Sequence, residues 1–199
     1  MDNIFNRNVA GMTEILQSST IGIAGCGGLG SNAAVSLVRA GIGKLIIVDF
    51  DIVEESNLNR QYFFRQDIGK KKVEALKNIL LSINPDVELI VHNMKLTKDT
   101  VCEIFAETDL LIEAFDKAES KKWLIEAYAR HYKEKYIICG NGISGLGKTE
   151  ELKITQVGKI IFCGDLTTDM KEGLCSSRVA IVANMQANLA IELLVKEKL

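Results

Sequence analysis

The chain has 199 residues, of which 47% are hydrophobic and 25% charged, a composition typical of one globular domain with a substantial core. Its net charge of −2 gives no general attraction to nucleic acid or to an anionic membrane surface. No uninterrupted apolar run reaches the ~18 residues of a membrane-spanning helix, and the N-terminus has no signal-peptide core. We therefore expect a cytoplasmic protein with neither a membrane nor a nucleic acid as partner.

Strand-like and helix-like segments alternate along most of the chain. The strand-like segments are 19–25, 44–50, 87–92, 109–115 and 135–141, and the helical patterns are 31–41, 72–83, 97–107 and 119–131. The strands are almost continuously apolar, as expected for a parallel sheet that is covered on both faces. The alternation predicts an α/β fold with a Rossmann-like, doubly wound and mostly parallel sheet.

The last quarter of the chain changes character. Two short strand-like runs surround Val157-Gly158 and predict an antiparallel hairpin. A polar, glycine-containing loop follows, and the pattern from 178 to 199 predicts a long final helix, with Ser176 or Ser177 as its N-cap.

A glycine-rich turn joins the first strand to the first helix. Gly25, Gly27, Gly28 and Gly30 form the pattern GxGxxG, and the absence of side chains lets the backbone turn tightly and approach a phosphate at the helix N-terminus. Asp49 follows about 20 residues later at the end of the second strand, where a carboxylate can accept ribose hydroxyls. The simpler alternative is a glycine turn needed only for close packing of helix on strand.

The segment after the second strand, "DFDIVEESNLNRQ", carries polar and cationic side chains that a dinucleotide site does not require. Phosphate transfer needs cations where charge develops, so Arg60 and the later Lys72 are candidate triphosphate ligands. Asn57 and Gln61 could orient them or bind phosphate oxygens directly. By position alone, Lys72 is more simply one of three solvated lysines at a helix start.

These motifs resemble the ThiF/MoeB/HesA family, the bacterial relatives of ubiquitin-activating enzymes. The similarity rests on "GCGGLGS", "DFDIVEESNLNRQ", "GKKKVEALK", "DLLIEAFD" and the N-terminal "FNRN", and the chain looks most like the ThiF-type proteins of thiamin biosynthesis. The resemblance implies that ATP and Mg²⁺ are bound and that the C-terminal Gly-Gly carboxylate of a small ubiquitin-fold sulfur carrier, such as ThiS, is adenylated with release of pyrophosphate. Activation of a molybdopterin carrier, as by MoeB, and dehydration of a tRNA base are alternatives within the family.

The resemblance also implies roles for single residues. Asp49 would bind the ribose of ATP, while Asn57, Arg60 and Lys72 would hold its triphosphate. Asp116, just after the fourth strand, would lie near Mg²⁺, although on sequence alone it is more simply a helix N-cap. Arg7 in "FNRN" would reach the partner subunit's ATP as an arginine finger, which implies a homodimer with two composite sites. Taken alone, Arg7 is an unremarkable arginine near a terminus.

The cysteines give a weaker signal. The chain has five, Cys26, Cys102, Cys139, Cys163 and Cys175, and none forms a CxxC pair. We therefore expect no structural zinc, which many family members bind through two such pairs. Some members use a cysteine to accept the activated carrier or its sulfur, which a donor protein could supply. Cys175 is the candidate because it lies in a polar loop before a helix start, where a thiolate is favoured; an incidental or buried cysteine is the simpler alternative.

Two classes outside this family compete with it. A nicotinamide-dependent oxidoreductase would use the glycine turn and Asp49 but would leave Arg60 and Lys72 unexplained. A non-catalytic scaffold that only binds a carrier would not need Arg60, Lys72 and Asp116.

On this basis we expect one adenylyltransferase domain over 1–199. Its parts would be an N-terminal arm at 1–18, a nucleotide-binding core at 19–150, and a hairpin, crossover loop and final helix at 151–199.

Overall fold

The protein is described by a computed structural model that covers residues 4–198, so the first three residues of the arm and Leu199 lie outside the description. The strands are β1 (Thr20–Ala24), β2 (Lys44–Asp49), β3 (Glu88–Asn93), β4 (Leu110–Glu113), β5 (Tyr136–Gly140), β6 (Lys153–Val157) and β7 (Ile160–Gly164). The helices are α1 (Met12–Gln17), α2 (Gly28–Ala40), α3 (Lys72–Ile83), α4 (Val101–Ile104), α5 (Ala118–His131) and α6 (Ser176–Lys198).

The strands form one seven-stranded sheet in the order β3-β2-β1-β4-β5-β7-β6. Every neighbouring pair is parallel except β6 and β7, which form the antiparallel hairpin. The predicted fold class is therefore confirmed. The strand order reverses between β1 and β4, and in such sheets ligands bind beyond the carboxyl ends of the strands at this reversal.

Hydrophobic cores cover both faces of the sheet, which explains why the strands are apolar throughout. Successive residues of β2 point to opposite faces: Ile47 belongs to the core under α2, α3 and α6, and Val48 to the core under α4 and α5. Both side chains are at most 1% exposed. The two layers of helices hold the carboxyl ends of the strands in fixed positions.

The final helix, α6, is more apolar than the sequence analysis expected. Over Ser176–Lys196 it has the length and composition of a membrane-spanning helix, a test that core helices also pass. Here Val182 is fully buried in the core. The buried amide of Gln186 donates to the carbonyl oxygens of Glu113 and Ile138, both at 3.0 Å, so that α6 bridges the ends of β4 and β5.

Two segments differ from the prediction. The helix expected at 97–107 covers only Val101–Ile104. Before it, the hydroxyls of Thr97 and Thr100 bond to each other and to each other's backbone N–H groups, and such local bonds compete with helix formation. The expected N-terminal arm contains a short helix, Met12–Gln17.

Candidate active site

The glycines of the turn serve two purposes: two of them allow the fold of the turn, and a third leaves space for a ligand. Gly25 has a φ of 101°, which favours glycine, and a Cβ at Gly30 would lie 1.8 Å from the Gly25 carbonyl oxygen. The backbone conformation thus favours glycine at 25, and the close approach of α2 to the turn requires it at 30, so the packing alternative explains part of the motif. A Cβ at Gly27, by contrast, would come near only Gln61 Nε2, at 3.8 Å, among the described residues. Gly27 therefore leaves space at the N-terminus of α2.

Asp49 ties the end of β2 to this turn. Its Oδ2 accepts a hydrogen bond from the Cys26 backbone N–H at 2.6 Å, and its Oδ1 accepts one from the Asp51 N–H at 2.8 Å. Each carboxylate oxygen can accept a second hydrogen bond. Asp49 can therefore shape the turn and still accept ribose hydroxyls.

A cleft of about 230 Å³ opens beside the turn and brings together five of the predicted site residues. It is lined by Asn57, Arg60, Gln61, Lys72 and Asp116, together with Asp51, Ile52 and Glu54. The lining carries two cations and three carboxylates.

Lys72 is buried, with 8% of its side chain exposed, and its Nζ lies 2.8 Å from Asp51 Oδ2. It is thus not a solvated lysine at a helix start, the interpretation that its position alone favoured. A buried lysine requires a charge partner. Asp51 was not among the predicted site residues, although a second carboxylate two residues after Asp49 was a signal for it.

Arg60 lies at the same cleft on the loop after β2. Its Nη1 donates to the backbone carbonyl oxygen of Ser56 at 3.1 Å and to Asn59 Oδ1 at 2.7 Å. Both acceptors are neutral groups of its own loop. The guanidinium is therefore held locally and can exchange these bonds for stronger ones to an anion.

Asn57 and Gln61 have different roles. Asn57 Oδ1 accepts the Glu54 N–H at 3.2 Å and fixes the short helical turn that precedes Arg60. Gln61 Oε1 is buried and, within residues 4–198, has no hydrogen-bond partner. A buried acceptor without a partner is costly, and a donor from a bound ligand would satisfy it.

Asp116 also lines the cleft, from the loop between β4 and α5. The N-cap of α5 is Lys117, so the helix-cap role considered for Asp116 is wrong. The loop is shaped by Glu113, which accepts the Phe115 N–H at 2.7 Å and pairs with Lys121 at 2.9 Å. Burial raises the pKa of Glu113, and the ion pair with Lys121 opposes this effect.

The lining fits a hard divalent cation held partly by a ligand. Asp51, Glu54 and Asp116 provide carboxylate oxygens, which Mg²⁺ prefers. Within the part of the chain that the structure describes, no three side chains of the acidic, His or Cys types converge on one point. A Mg²⁺ ion here would take its other ligands from phosphate oxygens and water, as is usual for this ion.

Arg7 lies away from this cleft. It is exposed in the turn before α1, and the neighbouring Asn8 donates to the Ala40 carbonyl at 2.8 Å. Ala40 ends α2, whereas the glycine turn begins it, and a helix of 13 residues is about 20 Å long. The structure therefore does not bring Arg7 to its own chain's cleft, and a role in the partner's site stays a prediction.

Cys175 precedes the first turn of α6 and caps it, in place of the expected Ser176 or Ser177. Its carbonyl oxygen accepts the Val179 N–H at 3.0 Å, and its Sγ lies 3.2 Å from Ser177 Oγ. Hydrogen bonds from the Ser177 hydroxyl and from the backbone N–H groups of Arg178 and Ser177 lower the pKa of the Cys175 thiol. The position favours a thiolate.

The crossover loop brings Cys175 close to the nucleotide cleft. Asn59 Nδ2 donates to the Leu174 carbonyl oxygen at 3.3 Å. A Cβ at Gly28 would lie 2.8 Å from Val179 Cγ1, so the first turn of α6 covers this part of the glycine turn.

A buried ion pair anchors the same loop. Arg178, in the first turn of α6, pairs with Asp165 and also donates to the Gly147 carbonyl. Burial would raise the pKa of Asp165, but hydrogen bonds from the Thr168 and Thr167 backbone N–H groups, the Thr168 hydroxyl and Arg178 lower it to about 2. The pair joins the loop after β5, the loop after β7 and the start of α6.

The fold and the cleft define an α/β domain of the nucleotide-binding type, with two cations and three carboxylates at the carboxyl ends of its strands. The chain matches the ThiF family over residues 4–199 and belongs to it. The predicted resemblance is confirmed at the level of the family.

Several known proteins are similar to this chain. Ubiquitin-like modifier-activating enzyme 5 of Caenorhabditis briggsae is 35% identical over 119 residues, which cover 54% of this chain and 28% of that protein. The adenylyltransferase and sulfurtransferase UBA4 of Meyerozyma guilliermondii is 34% identical over 136 residues, 68% of this chain and 31% of that protein. The chain thus spans less than a third of the length of these two relatives.

Among solved structures, the chain is similar to the tRNA N6-threonylcarbamoyladenosine dehydratase TcdA of E. coli in complex with ATP. The TM-score is 0.84 with 22% identity, covering 95% of this chain and 90% of TcdA. At this identity the similarity shows a shared fold.

Proposed function

We propose that this chain is an adenylyltransferase that uses ATP to activate the C-terminal glycine carboxylate of a small ubiquitin-fold carrier. The observation that carries the proposal is the buried Lys72, which lines one cleft with Arg60 and Asp116 beside a helix N-terminus. Asp51 pairs with Lys72 and holds its ammonium group at the cleft, where Lys72 and Arg60 together could bind the oxygens of a triphosphate. Membership of the ThiF family supports the same conclusion.

The reaction explains why the predicted catalytic residues include two cations, Arg60 and Lys72. A carboxylate is a poor electrophile because it has no good leaving group, and a mixed anhydride with AMP provides one. One carboxylate oxygen bonds to the α-phosphorus while the bond from that phosphorus to pyrophosphate breaks. The reaction joins two anions, so the role of Arg60 and Lys72 is to offset negative charge and hold the triphosphate in line. The carboxylate is already ionised, so no general base is required.

The chain's own residues would hold the nucleotide at both ends. Asp49 would accept ribose hydroxyls, and the N-terminus of α2 at Gly27 would receive phosphate. Gln61 Oε1 would gain the donor that it lacks among the described residues. Asp116 would hold Mg²⁺, whose chemistry is the neutralisation of phosphate charge. TcdA, which shares the fold, has been solved in complex with ATP, which supports ATP as the nucleotide.

The carrier is proposed from the relatives and the charge of the chain. One relative is named a ubiquitin-like modifier-activating enzyme and another an adenylyltransferase and sulfurtransferase. We propose a ThiS-like carrier of thiamin thiazole synthesis, in the cytoplasm, ahead of a molybdopterin carrier or a tRNA base. TcdA is named as a tRNA-base dehydratase, but a net charge of −2 favours a protein substrate over tRNA.

Two further parts of the proposal concern the second subunit and the thiol. The position of Arg7 at the far end of α2 is compatible with a homodimer in which Arg7 serves the partner's triphosphate. Cys175 would accept the activated carrier: its thiolate sulfur bonds to the acyl carbon, the bond from that carbon to AMP breaks, and AMP leaves with the electron pair. Alternatively, Cys175 would carry sulfur from a donor protein.

The deciding experiment is ATP–pyrophosphate exchange with purified ThiS-like and molybdopterin-type carriers. We expect exchange that depends on the ThiS-like carrier and disappears when its last glycine is removed. Arg60→Ala should lower the rate about 10²–10³-fold, whereas Arg39→Ala, at an exposed arginine of α2, should not change it.

Absence of exchange with both carriers would refute the proposal. Protection against thermal unfolding by NADH but not by ATP with Mg²⁺ would instead favour an oxidoreductase.

A further inference from the structure

Asn59 lies between the arginine of the cleft and the loop that carries Cys175. Its Oδ1 accepts from Arg60 Nη1 at 2.7 Å, and its Nδ2 donates to the Leu174 carbonyl oxygen at 3.3 Å. A guanidinium only donates and a carbonyl only accepts, so the amide can satisfy both partners in one orientation alone. Asn59 thus forms a single hydrogen-bonded link from Arg60 to the residue before Cys175.

The Arg60 end of this link is the weaker one when an anion is present. Among the residues that the structure describes, the guanidinium bonds neutral oxygens, those of Asn59 and Ser56. A bond from a guanidinium to a phosphate oxygen adds the attraction between two opposite charges, which its bonds to neutral amide and carbonyl oxygens lack. Because Arg60 lines the cleft, a triphosphate there would draw it away from Asn59.

The Leu174 end is held on both sides by other contacts. The Gly173 carbonyl accepts the Gly145 N–H at 2.9 Å, and the Arg178–Asp165 ion pair fixes the first turn of α6. Leu174 also forms a bridge with Gly145 and packs against the core. Loss of the Asn59 bond would therefore separate the stretch around Leu174 and Cys175 from the Arg60 loop and loosen it locally without displacing α6. Cys175 is only partly exposed in the present arrangement.

We propose that Asn59 is a positioning residue that couples occupancy of the triphosphate cleft to exposure of the Cys175 thiol. Without nucleotide, Asn59 holds the Cys175 stretch against the loop of Arg60. With nucleotide, Arg60 turns to the phosphates, Asn59 loses its fixed orientation, and the thiol becomes accessible. The thiol is then presented only while the nucleotide that activates the carrier is bound. This inference rests on the proposed function in one respect, namely that ATP is the ligand of the cleft.

The test is the rate at which iodoacetamide alkylates Cys175 in the full chain, with and without a non-hydrolysable ATP analogue and Mg²⁺. Trypsin cleaves after Lys171 and Arg178, so the peptide 172–178 contains this cysteine alone. We expect the saturating analogue to raise the rate at least about threefold in the wild type. The rate at the partly buried Cys102 should not change and serves as the internal control for general loosening.

Two variants test the link: one removes the bond from residue 59 to Leu174, and the other is a control elsewhere in the chain. Asn59→Asp keeps an acceptor for Arg60 but has no N–H for the Leu174 carbonyl, so Cys175 should react fast without nucleotide and show no further increase. Asn184→Ala is the matched control: this exposed asparagine of α6 donates to the Ala180 carbonyl at 2.8 Å and accepts from the Ser36 hydroxyl of α2 at 2.5 Å, away from Asn59 and Leu174, and its loss should leave the nucleotide response intact.

Calorimetry of analogue binding distinguishes failure of the link from failure of the proposed function. Binding to the wild type without any rise in the Cys175 rate would overturn the inference. Equal rates for the wild type and Asn59→Asp without nucleotide would also overturn it, whether or not the analogue binds. If the analogue did not bind but Cys175 reacted faster in Asn59→Asp than in the wild type, the result would still show that the bond from Asn59 to Leu174 restrains Cys175.

Discussion

Alanine at Gly30 should lower the stability of the fold, whereas alanine at Gly27 should mainly weaken the binding of ATP. A Cβ at Gly30 would lie 1.8 Å from a backbone oxygen and 2.9 Å from the carbon of the same carbonyl, and neither atom can move unless the turn opens. Overpacking of this kind costs up to about 3 kcal/mol. In a domain of this size, that corresponds to a fall in Tm of roughly 6–12 °C.

Gly27→Ala has a different expected outcome. Its φ of −76° is accessible to alanine, but its ψ of −149° lies outside the broad β region. The nearest atom of the described residues is 3.8 Å away, so backbone strain is the main cost and should lower the free energy of unfolding by about 1 kcal/mol. The added methyl group would occupy the approach of a phosphate to the N-terminus of α2. We expect ATP affinity to fall about tenfold or more, a loss of ~1.4 kcal/mol.

Thermal unfolding with and without ATP and Mg²⁺ measures both effects, because a ligand of the folded state raises Tm. A wild-type Tm for Gly30→Ala would show that the packing argument is wrong. A wild-type shift by ATP for Gly27→Ala would show that phosphate does not bind at this turn.

Four other outcomes are expected. Lys72→Ala should lower ATP–pyrophosphate exchange about 10²–10³-fold while Lys71→Ala, at the exposed neighbour, has no effect; equal rates would remove Lys72 from the site. Mixed Arg7→Ala and Lys72→Ala subunits should regain part of the activity that each lacks alone, and zero activity despite proven subunit exchange would refute the composite site. Cys175→Ser should still adenylate the carrier but yield no thiocarboxylate, and an undiminished yield would make the thiol structural. The folded-state pKa of Asp165 is about 2, below its unfolded value, so its contribution to stability is present at neutral pH and lost as the pH falls from about 4 towards 2. The free energy of unfolding of Asp165→Asn, measured in urea, should not show this loss at acid pH. If the wild type and the variant lost stability identically as the pH fell, the low pKa of Asp165 would be contradicted.

The parts that could be predicted from sequence are those that local patterns determine. The glycine turn and Asp49 were predictable because a strand, a turn and a helix follow one another within a short stretch. Arg60 was predictable because it lies on the loop that leaves the next strand at the same edge of the sheet. In a parallel sheet these ends meet, so adjacency in the fold follows from order along the chain.

The parts that could not be predicted depend on contacts between distant segments. The burial of Lys72 results from its pairing with Asp51 across a loop, and three adjacent lysines give no sign of which one turns inward. The role of Cys175 as a helix cap was missed because two serines, better N-cap residues, follow it directly. The link from Asn59 to Leu174 joins positions far apart in the chain, and no periodicity in the sequence reports it.

The position of α6 has a consequence for how the chain is made. Every residue that lines the cleft lies between Asp51 and Asp116, so the ribosome completes that part early. The outer face of α2 and the ends of β4 and β5 nevertheless stay uncovered until α6, which bonds Ser36 through Asn184, has been synthesised. A nascent chain therefore exposes apolar surface over most of its synthesis, and such surface is what chaperones bind. Premature termination before α6 should produce aggregating fragments rather than a smaller active protein.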